Sequence, residues 1–337
     1  MTVPTAEPLV SVVIAAYNAG EFIDASVASA LNQSAHVLEV VVVDDGSSDD
    51  TSDRLVAWSD PRLRVIHQTN QGYAAALNTA IRAARGAYIG MLDADDVWLP
   101  GKLSRHIRLH REQPGTDVTF AWVNVIDRWG RPVQMPCPRW RGALSFAQLL
   151  ADNVIRTSSA VVMRRAAAEQ AGMFDSRLVR CIDYEFFLRV SLLRPNNICA
   201  VPEVLTLYRR HDRQRTRQWQ RMQEGWNQLL DSVRSRAPEQ TASVERLASS
   251  NMYRYFAALA YEDGSFRDAL RLMGRSFALS PAQFLRDYRN WTMSAAAVAG
   301  LVLPKRALLA AERAAGFDRA NELAGARTPD PENSHKT

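Results

Sequence analysis

The sequence predicts an α/β protein: a mostly parallel sheet flanked by helices, followed by a helical C-terminal region. Three observations lead there. Through the first third, β-branched apolar runs alternate with segments of helical period. Each run ends in small, polar or acidic residues, and beyond about residue 214 the pattern is helical throughout. Strands and helices of these lengths in alternation imply parallel strands joined by right-handed crossovers.

The elements follow in order. "LVSVVIAA" (9–16) is a β-branched apolar run, as in a strand buried on both faces. "EFIDASVASALNQ" (21–33) spaces Phe22, Ile23, Val27, Ala30 and Leu31 for a helix. "LEVVVVDD" (38–45) is a second strand, and "SSDDTSDRLVAW" (47–58) offers Ser and Asp caps ahead of a helix. A third strand, "RLRVIHQ" (62–68), is followed by the good helix former "GYAAALNTAIRAA" (72–84). "AYIGMLD" (87–93) is a fourth strand, and Pro100 suits the first turn of a helix reaching about Gln113. Strands are expected at 117–127, 132–136 and 158–165, a helix with an aromatic face at 183–193, and extended chain at 198–211. Residues 253–281 read as a helical hairpin broken at Asp263–Gly264. "MSAAAVAGLVL" (293–303) is too short to span a bilayer, which takes about 20 apolar residues. It is expected to be a core helix, with membrane-surface contact as the alternative.

Composition narrows the class. With 47% hydrophobic and 23% charged residues, the 337-residue chain is globular, not disordered. A formal charge of +5 suits anionic ligands, a membrane surface, or simply a solubilising exterior, and no nucleic-acid partner is expected. Cys137, Cys181 and Cys199 form neither a CxxC pair nor an even set, which predicts a reducing cytosol, no disulfide framework and no zinc site. The first apolar run is short and has no Lys or Arg before it, so it reads as a strand and not as a signal peptide.

In parallel sheets, ligands bind beyond the carboxyl ends of the strands. Here those ends are "AYN" (16–18), "DDGSSD" (44–49), "TNQG" (69–72) and "DADD" (93–96). Turn chemistry explains any one of them, but four on one edge less well. Asp93, Asp95 and Asp96 crowd three like charges together, a cost unless a cation joins them. Carboxylates without a His/Cys cluster favour a hard ion, Mn2+ or Mg2+, which shares its coordination with substrate phosphates. Neither GxxxxGK[ST] nor a GxGxxG after the first strand is present, which argues against a P-loop enzyme and a dinucleotide oxidoreductase.

"SVVIAAYNAGEFIDASVASALNQS", "VVVVDDGSSDDT", "NQGYAAALNTAIRAARGAYIGMLDADD" and "IDYEFFLRV", in this order, resemble the family 2 glycosyltransferases, inverting enzymes of the GT-A fold. The likeness covers about residues 9 to 211. It implies a Rossmann-like nucleotide-binding sheet in a catalytic unit over 1–213. Residues 9–116 would hold the nucleotide-sugar and 117–213 the acceptor. A helical region (214–326) and a disordered tail (327–337) would follow.

The resemblance also implies roles. Tyr17 and Asp45 would hold the base, Ala15 would line its pocket and Asp44 would support the loop. Asn18, Asn70 and Gly72 fall among the donor-contacting positions, and Asp93 would approach the ribose. Asp95 would bind the metal, with His211 as a candidate second ligand, and Arg209 would close over the diphosphate. Asp183 would be the general base, although on the residues alone it is equally an N-cap, and Glu185 competes for the role. Asp96 is read as the cap of the next helix, and the Arg run 209–221 as a solvated face or an anionic contact.

The chain departs from the family pattern at three places. Ala16 stands where Pro is usual, Leu77 where Arg is expected and Ile182 where Glu precedes the base. The expected reaction is transfer of a sugar, from a UDP-sugar first of all, to a glycan or lipid-linked acceptor. The expected location is the cytoplasm, peripheral to the inner face of the cell membrane through the basic helical half. The alternatives are a sugar-phosphate nucleotidyltransferase, whose glycine- and Arg/Lys-rich loop "AAYNAGEF" lacks, and a non-catalytic scaffold, against which intact Asp95 and Asp183 argue.

Overall fold

The computed structural model describes residues 9–310 apart from 34, 35, 136, 213, 215–217, 305 and 309. The tail at 327–337 and Arg213, Arg215 and Arg217 of the Arg run lie outside the described residues.

The first half is the expected alternation: β1 (Val10–Ala16), α1 (Ile23–Leu31), β2 (Val37–Asp44), α2 (Thr51–Val56), β3 (Leu63–His67), α3 (Tyr73–Ala83) and β4 (Tyr88–Met91). Next come β5 (Val97–Trp98), α4 (Lys102–Glu112), β6 (Val118–Ile126), β7 (Pro132–Val133), β8 (Ala143–Leu144) and α5 (Phe146–Ala151). A 3-10 turn (Ser158–Ala160) leads into β9 (Val161–Arg164), α6 (Arg165–Gln170), α7 (Ile182–Ser191) and β10 (Ile198–Arg209). The helical region holds α8 (Trp219–Arg236), α9 (Pro238–Glu262), α10 (Phe266–Leu279), α11 (Pro281–Arg286) and α12 (Tyr288–Val302).

The main path of the sheet runs β3-β2-β1-β4-β9-β6-β10-β5. Pairing among β1 to β4 is parallel, as is the long β6–β10 pairing, while β9 and the two-residue strands run antiparallel. Alternation along each strand divides the interior. Val12, Ile14, Val40 and Val42 pack with Ile23, Val27, Leu55, Leu103 and Ile107 on one face. Val13, Val41, Val43, Ile89 and Met91 pack with Leu77 and Ile81 on the other, in a core that runs on through α5 and α7 into α8, α9 and α10.

Several local expectations change. Pro100 precedes the helix and does not open it: Gly101, at φ +78°, is the N-cap and Lys102 the first residue of α4. Asp96 therefore caps nothing. The segment 158–165 enters β9 through a 3-10 turn. Short β5 and β8, and α5 with its Ser145–Gln148 capping box, were not foreseen. The hairpin breaks where expected: Gly264 takes φ +79° and the Ser265 amide donates to the Ala260 carbonyl.

The segment 293–303 is not a core helix. Only Asn290 and Ala297 of α12 are buried, and no described helix is long and apolar enough to cross a membrane. The Arg run is not a solvated face at its start either. Arg209 is buried, and Arg210 pairs with Glu262 of α9 at 2.6 Å.

Candidate active site

Because β1 to β4 are parallel, their carboxyl ends form one edge that carries Tyr17 and Asn18, Asp44 and Asp45, Asn70 and Gly72, and the acids at 93–96. Tyr17 is 54% exposed. Asn18, at φ 50°, accepts from the Ser48 amide through its side chain and donates its own amide to the Ser47 hydroxyl, tying the end of β1 to the loop after β2. Asp44 accepts from the Ser47 amide and faces His67 at 3.3 Å.

Asp45 is buried and accepts from the amides of Gln71 (2.9 Å) and Gly72 (2.8 Å) and from the side chain of Gln68 (2.7 Å). It clamps the loop in front of α3, and three of its about four acceptor positions are used. Gly46 lets that loop approach: a Cβ there would meet the Asn70 amide nitrogen at 2.9 Å and its φ is +75°. Ala15 is half-buried at the end of β1, and Asn70 is exposed.

The three crowded acids have three different surroundings. The Asp93 carboxylate accepts from the hydroxyls of Tyr73 (2.6 Å), Ser158 (2.8 Å) and Thr157 (3.2 Å), and its amide donates to Ser159 Oγ. Asp96 is fully buried and accepts from the Arg209 amide (2.8 Å) and the Thr157 hydroxyl (3.2 Å). Loss of water, and then the Asp95 charge, push the carboxyls of Asp93 and Asp96 upward, Asp96 well above the usual carboxylate range. Asp95 instead keeps its side chain partly open and meets His211 Nε2 at 2.9 Å.

β10 delivers that histidine. Its pairing with β5 brings the segment after Arg209 onto the acid loop. Arg209 is a latch: Nε donates to the Asp95 carbonyl and Nη1 to the carbonyls of Asp127 and Arg128, with the guanidinium 5.1 Å over the Phe22 ring. Three of the five Arg209 N–H donors thus go to backbone carbonyls and the side chain is buried. Phe22 also packs on His211, with ring centroids 4.7 Å apart.

Asp183 sits in the first turn of α7, and Cys181 takes the N-cap, so the N-cap reading of Asp183 fails. Burial, then the charges of Asp93 and Asp183, push the Tyr73 hydroxyl well up. Glu185 is excluded as a base: it is fully buried, chelates Arg189 Nε at 2.8 and 3.0 Å, and accepts from Ser232. Leu77 and Ile182, at two departures from the family pattern, are buried apolar residues. Tyr73, Thr157, Ser158 and Ser159 were missed in the sequence; three consecutive hydroxyls ahead of an apolar strand were the available sign.

A divalent ion is tested by the groups present. Asp95 and His211 converge in one place, and His211 Nδ1 is buried with no partner among the described residues. No group of three or more His, Cys, Asp or Glu able to hold a metal occurs among the described residues. Two protein ligands suit an ion that completes its shell with phosphate and water.

Residues 11–172 match the family model for glycosyl transferase family 2. A β-1,3-glucosyltransferase of Escherichia coli, WfgD, named for UDP-Glc and α-D-GlcNAc-diphosphoundecaprenol, is 31% identical over 57% of this chain and 73% of its own length. The chain belongs to glycosyl transferase family 2. Other family relatives are longer: chondroitin synthase of Escherichia coli is 34% identical, with 28% of its length spanned by this chain. The succinoglycan biosynthesis protein ExoO of Rhizobium meliloti is 40% identical, with 58% of its length spanned.

The fold is shared with S. aureus TarS 1–349 in complex with UDP-GlcNAc (TM-score 0.60, 17% identity, 94% of this chain and 91% of that one). It is shared also with the mannosyltransferase PcManGT of Pyrobaculum calidifontis in complex with GDP-Man and Mn2+ (TM-score 0.55, 20% identity, 96% and 87%).

Proposed function

We propose that this family 2 chain is an inverting glycosyltransferase that moves a sugar from a nucleotide-diphosphate donor to a hydroxyl of a glycan or lipid-linked acceptor. The observation that carries it is the Asp95–His211 contact on the carboxyl edge of the sheet.

Asp183 takes the proton of the acceptor hydroxyl as its oxygen bonds to the anomeric carbon. The bond from that carbon to the diphosphate breaks, and the nucleotide diphosphate leaves with the electron pair. Attack comes from the face opposite the leaving group, so a single displacement inverts the centre and the base must stand away from the leaving-group side. Asp95 and His211 would hold Mn2+ or Mg2+, which supplies neutralisation of the leaving diphosphate when bound. Tyr17 stacks on the base, and Asp44, Asp45 and Asn18 keep the loops that frame it in register. Asp93, engaged by three hydroxyls, orders the loop from which the ribose is read.

UDP-sugars are the first donors to try. The names of WfgD and of the TarS complex support that choice, and the WfgD name supports a lipid-diphosphate acceptor. An acceptor of that kind places the enzyme at the cytoplasmic face of a membrane, in peripheral contact through its helical region. Donor hydrolysis and transfer would be assayed with Mn2+ across UDP-, GDP- and dTDP-sugars. The reading requires turnover of at least one donor that is lost with EDTA and in Asp95→Asn; turnover of none of them sinks it.

A further inference from the structure

We infer that the outer face of α12 is a membrane-docking surface for an anionic lipid bilayer. Tyr288, Trp291, Ala295, Val298 and Val302 recur at intervals of three and four and line one side of the helix. All five are exposed, Tyr288 by 71% and Val302 by 72%. The usual arrangement for a surface helix is the reverse, with charge on the outer face. The opposite side is tightly seated: a Cβ on Gly300 would come within 2.4 Å of the Phe266 ring, and Ala297 is fully buried. The apolar stripe therefore belongs to a fixed helix.

Charge marks the occupant. From residue 290 to residue 304 there is no Asp, Glu, Lys or Arg, whereas Arg286 and Arg289 precede this stretch and Lys305 and Arg306 follow it. Of the acids beside Arg289, Asp287 is engaged by Arg254 (2.8 Å) and by Arg289 itself (2.6 Å), and Asp152 lies 3.9 Å from Arg289. An apolar stripe bracketed by cations and too short to span suits a helix lying in the interface of an anionic bilayer.

Trp291 is prepared for that layer. Its indole N–H already donates to the Leu285 carbonyl at 3.1 Å, and its ring sits edge-on to Phe284 at 6.2 Å. Burying its exposed half leaves no donor unmet. The inference refines the peripheral contact in the functional reading, moving it from the Arg run, whose Arg209 and Arg210 are engaged internally, to α12.

The full chain would be floated with vesicles of phosphatidylcholine alone and of phosphatidylcholine mixed with phosphatidylglycerol. Wild type is expected to float with the anionic vesicles. Trp291→Ser with Val298→Ser and Val302→Ser should lose at least about tenfold in partitioning while keeping its circular dichroism. Arg286→Gln with Arg306→Gln should lose the preference for anionic over neutral vesicles. Hydrolysis of soluble donor should be unchanged in both variants, so failure here is separate from failure of the transferase reading. Flotation of the triple variant equal to wild type overturns the inference. So does a wild type that ignores both vesicle types, including one that forms a dimer dispersed by the same substitutions.

Discussion

Asp95 and Asp96 are adjacent in the chain and opposite in surroundings. Asp95 shares a partly open pocket with His211, whereas Asp96 is sealed and satisfied by the Arg209 amide and Thr157. Asp95→Asn is expected to lower Mn2+-dependent turnover at least about a hundredfold and to move the urea midpoint little. Asp96→Ala is expected to cost about 2 to 3 kcal/mol in urea unfolding, because it strands a buried amide and leaves a void. Asp183→Asn should reduce kcat by about two to four orders of magnitude while donor binding, followed by calorimetry, persists. The acid cluster was legible in the sequence, but its division of labour was not. An Asp before a helix is the same letter whether it caps or is buried, and what decides Asp96 is an amide 113 residues away.

At the scale of elements, long periodic segments were legible, and short or solvent-defined features were not. The four strands of the parallel half and the hairpin break could be read because their pattern is local. β5 and β8 have two residues each, too few for any period, and the exposure of α12 depends on where α10 sits.

α4 hides a further surprise. Lys102, His106 and His110, spaced by four, all face inward and are buried. Lys102 Nζ meets His106 Nε2 at 3.2 Å, and Thr119 Oγ1 joins His106 to His110. Burial pushes both imidazoles down, His110 to about 4, so they stay neutral in the fold where the unfolded chain takes up protons. Their contribution is complete above the unfolded value of about 6.5 and lost as pH falls toward the folded one. From His110 alone roughly 3 kcal/mol should go over that window. The upward-shifted carboxyls of Asp93 and Asp96 act in the opposite sense, so the contrast with His110→Gln isolates the term. Urea midpoints measured from about pH 7 to about pH 4 should fall less steeply in the variant. Parallel curves would remove His110 from the acid limb.

At the scale of the molecule, the helical region finishes the core of the catalytic half. Trp226, Leu229, Val233 and Phe256 share one cluster with Tyr184, Phe186 and Phe187 of α7, the helix that carries Asp183. Tyr184 stacks on Trp226 at 6.1 Å, and a Cβ on Gly225 would meet the Arg180 side chain at 2.6 Å, so α8 backs directly onto the segment leading into α7. The second tie is the Arg210–Glu262 pair, only 12% and 14% exposed, one residue beyond the Arg209 that latches the acid loop. A chain ended near residue 213 would bare the apolar side of α7, and it is expected to aggregate and not to fold as a separate transferase. The full chain should unfold in a single transition, with tryptophan fluorescence and far-UV circular dichroism superimposing. Glu262→Gln removes a charge-assisted hydrogen bond of this mostly buried pair and should cost about 2 kcal/mol without splitting that transition. Two separate transitions in wild type, or a soluble and active product from the truncation, would show instead that the helices ride on a core complete without them.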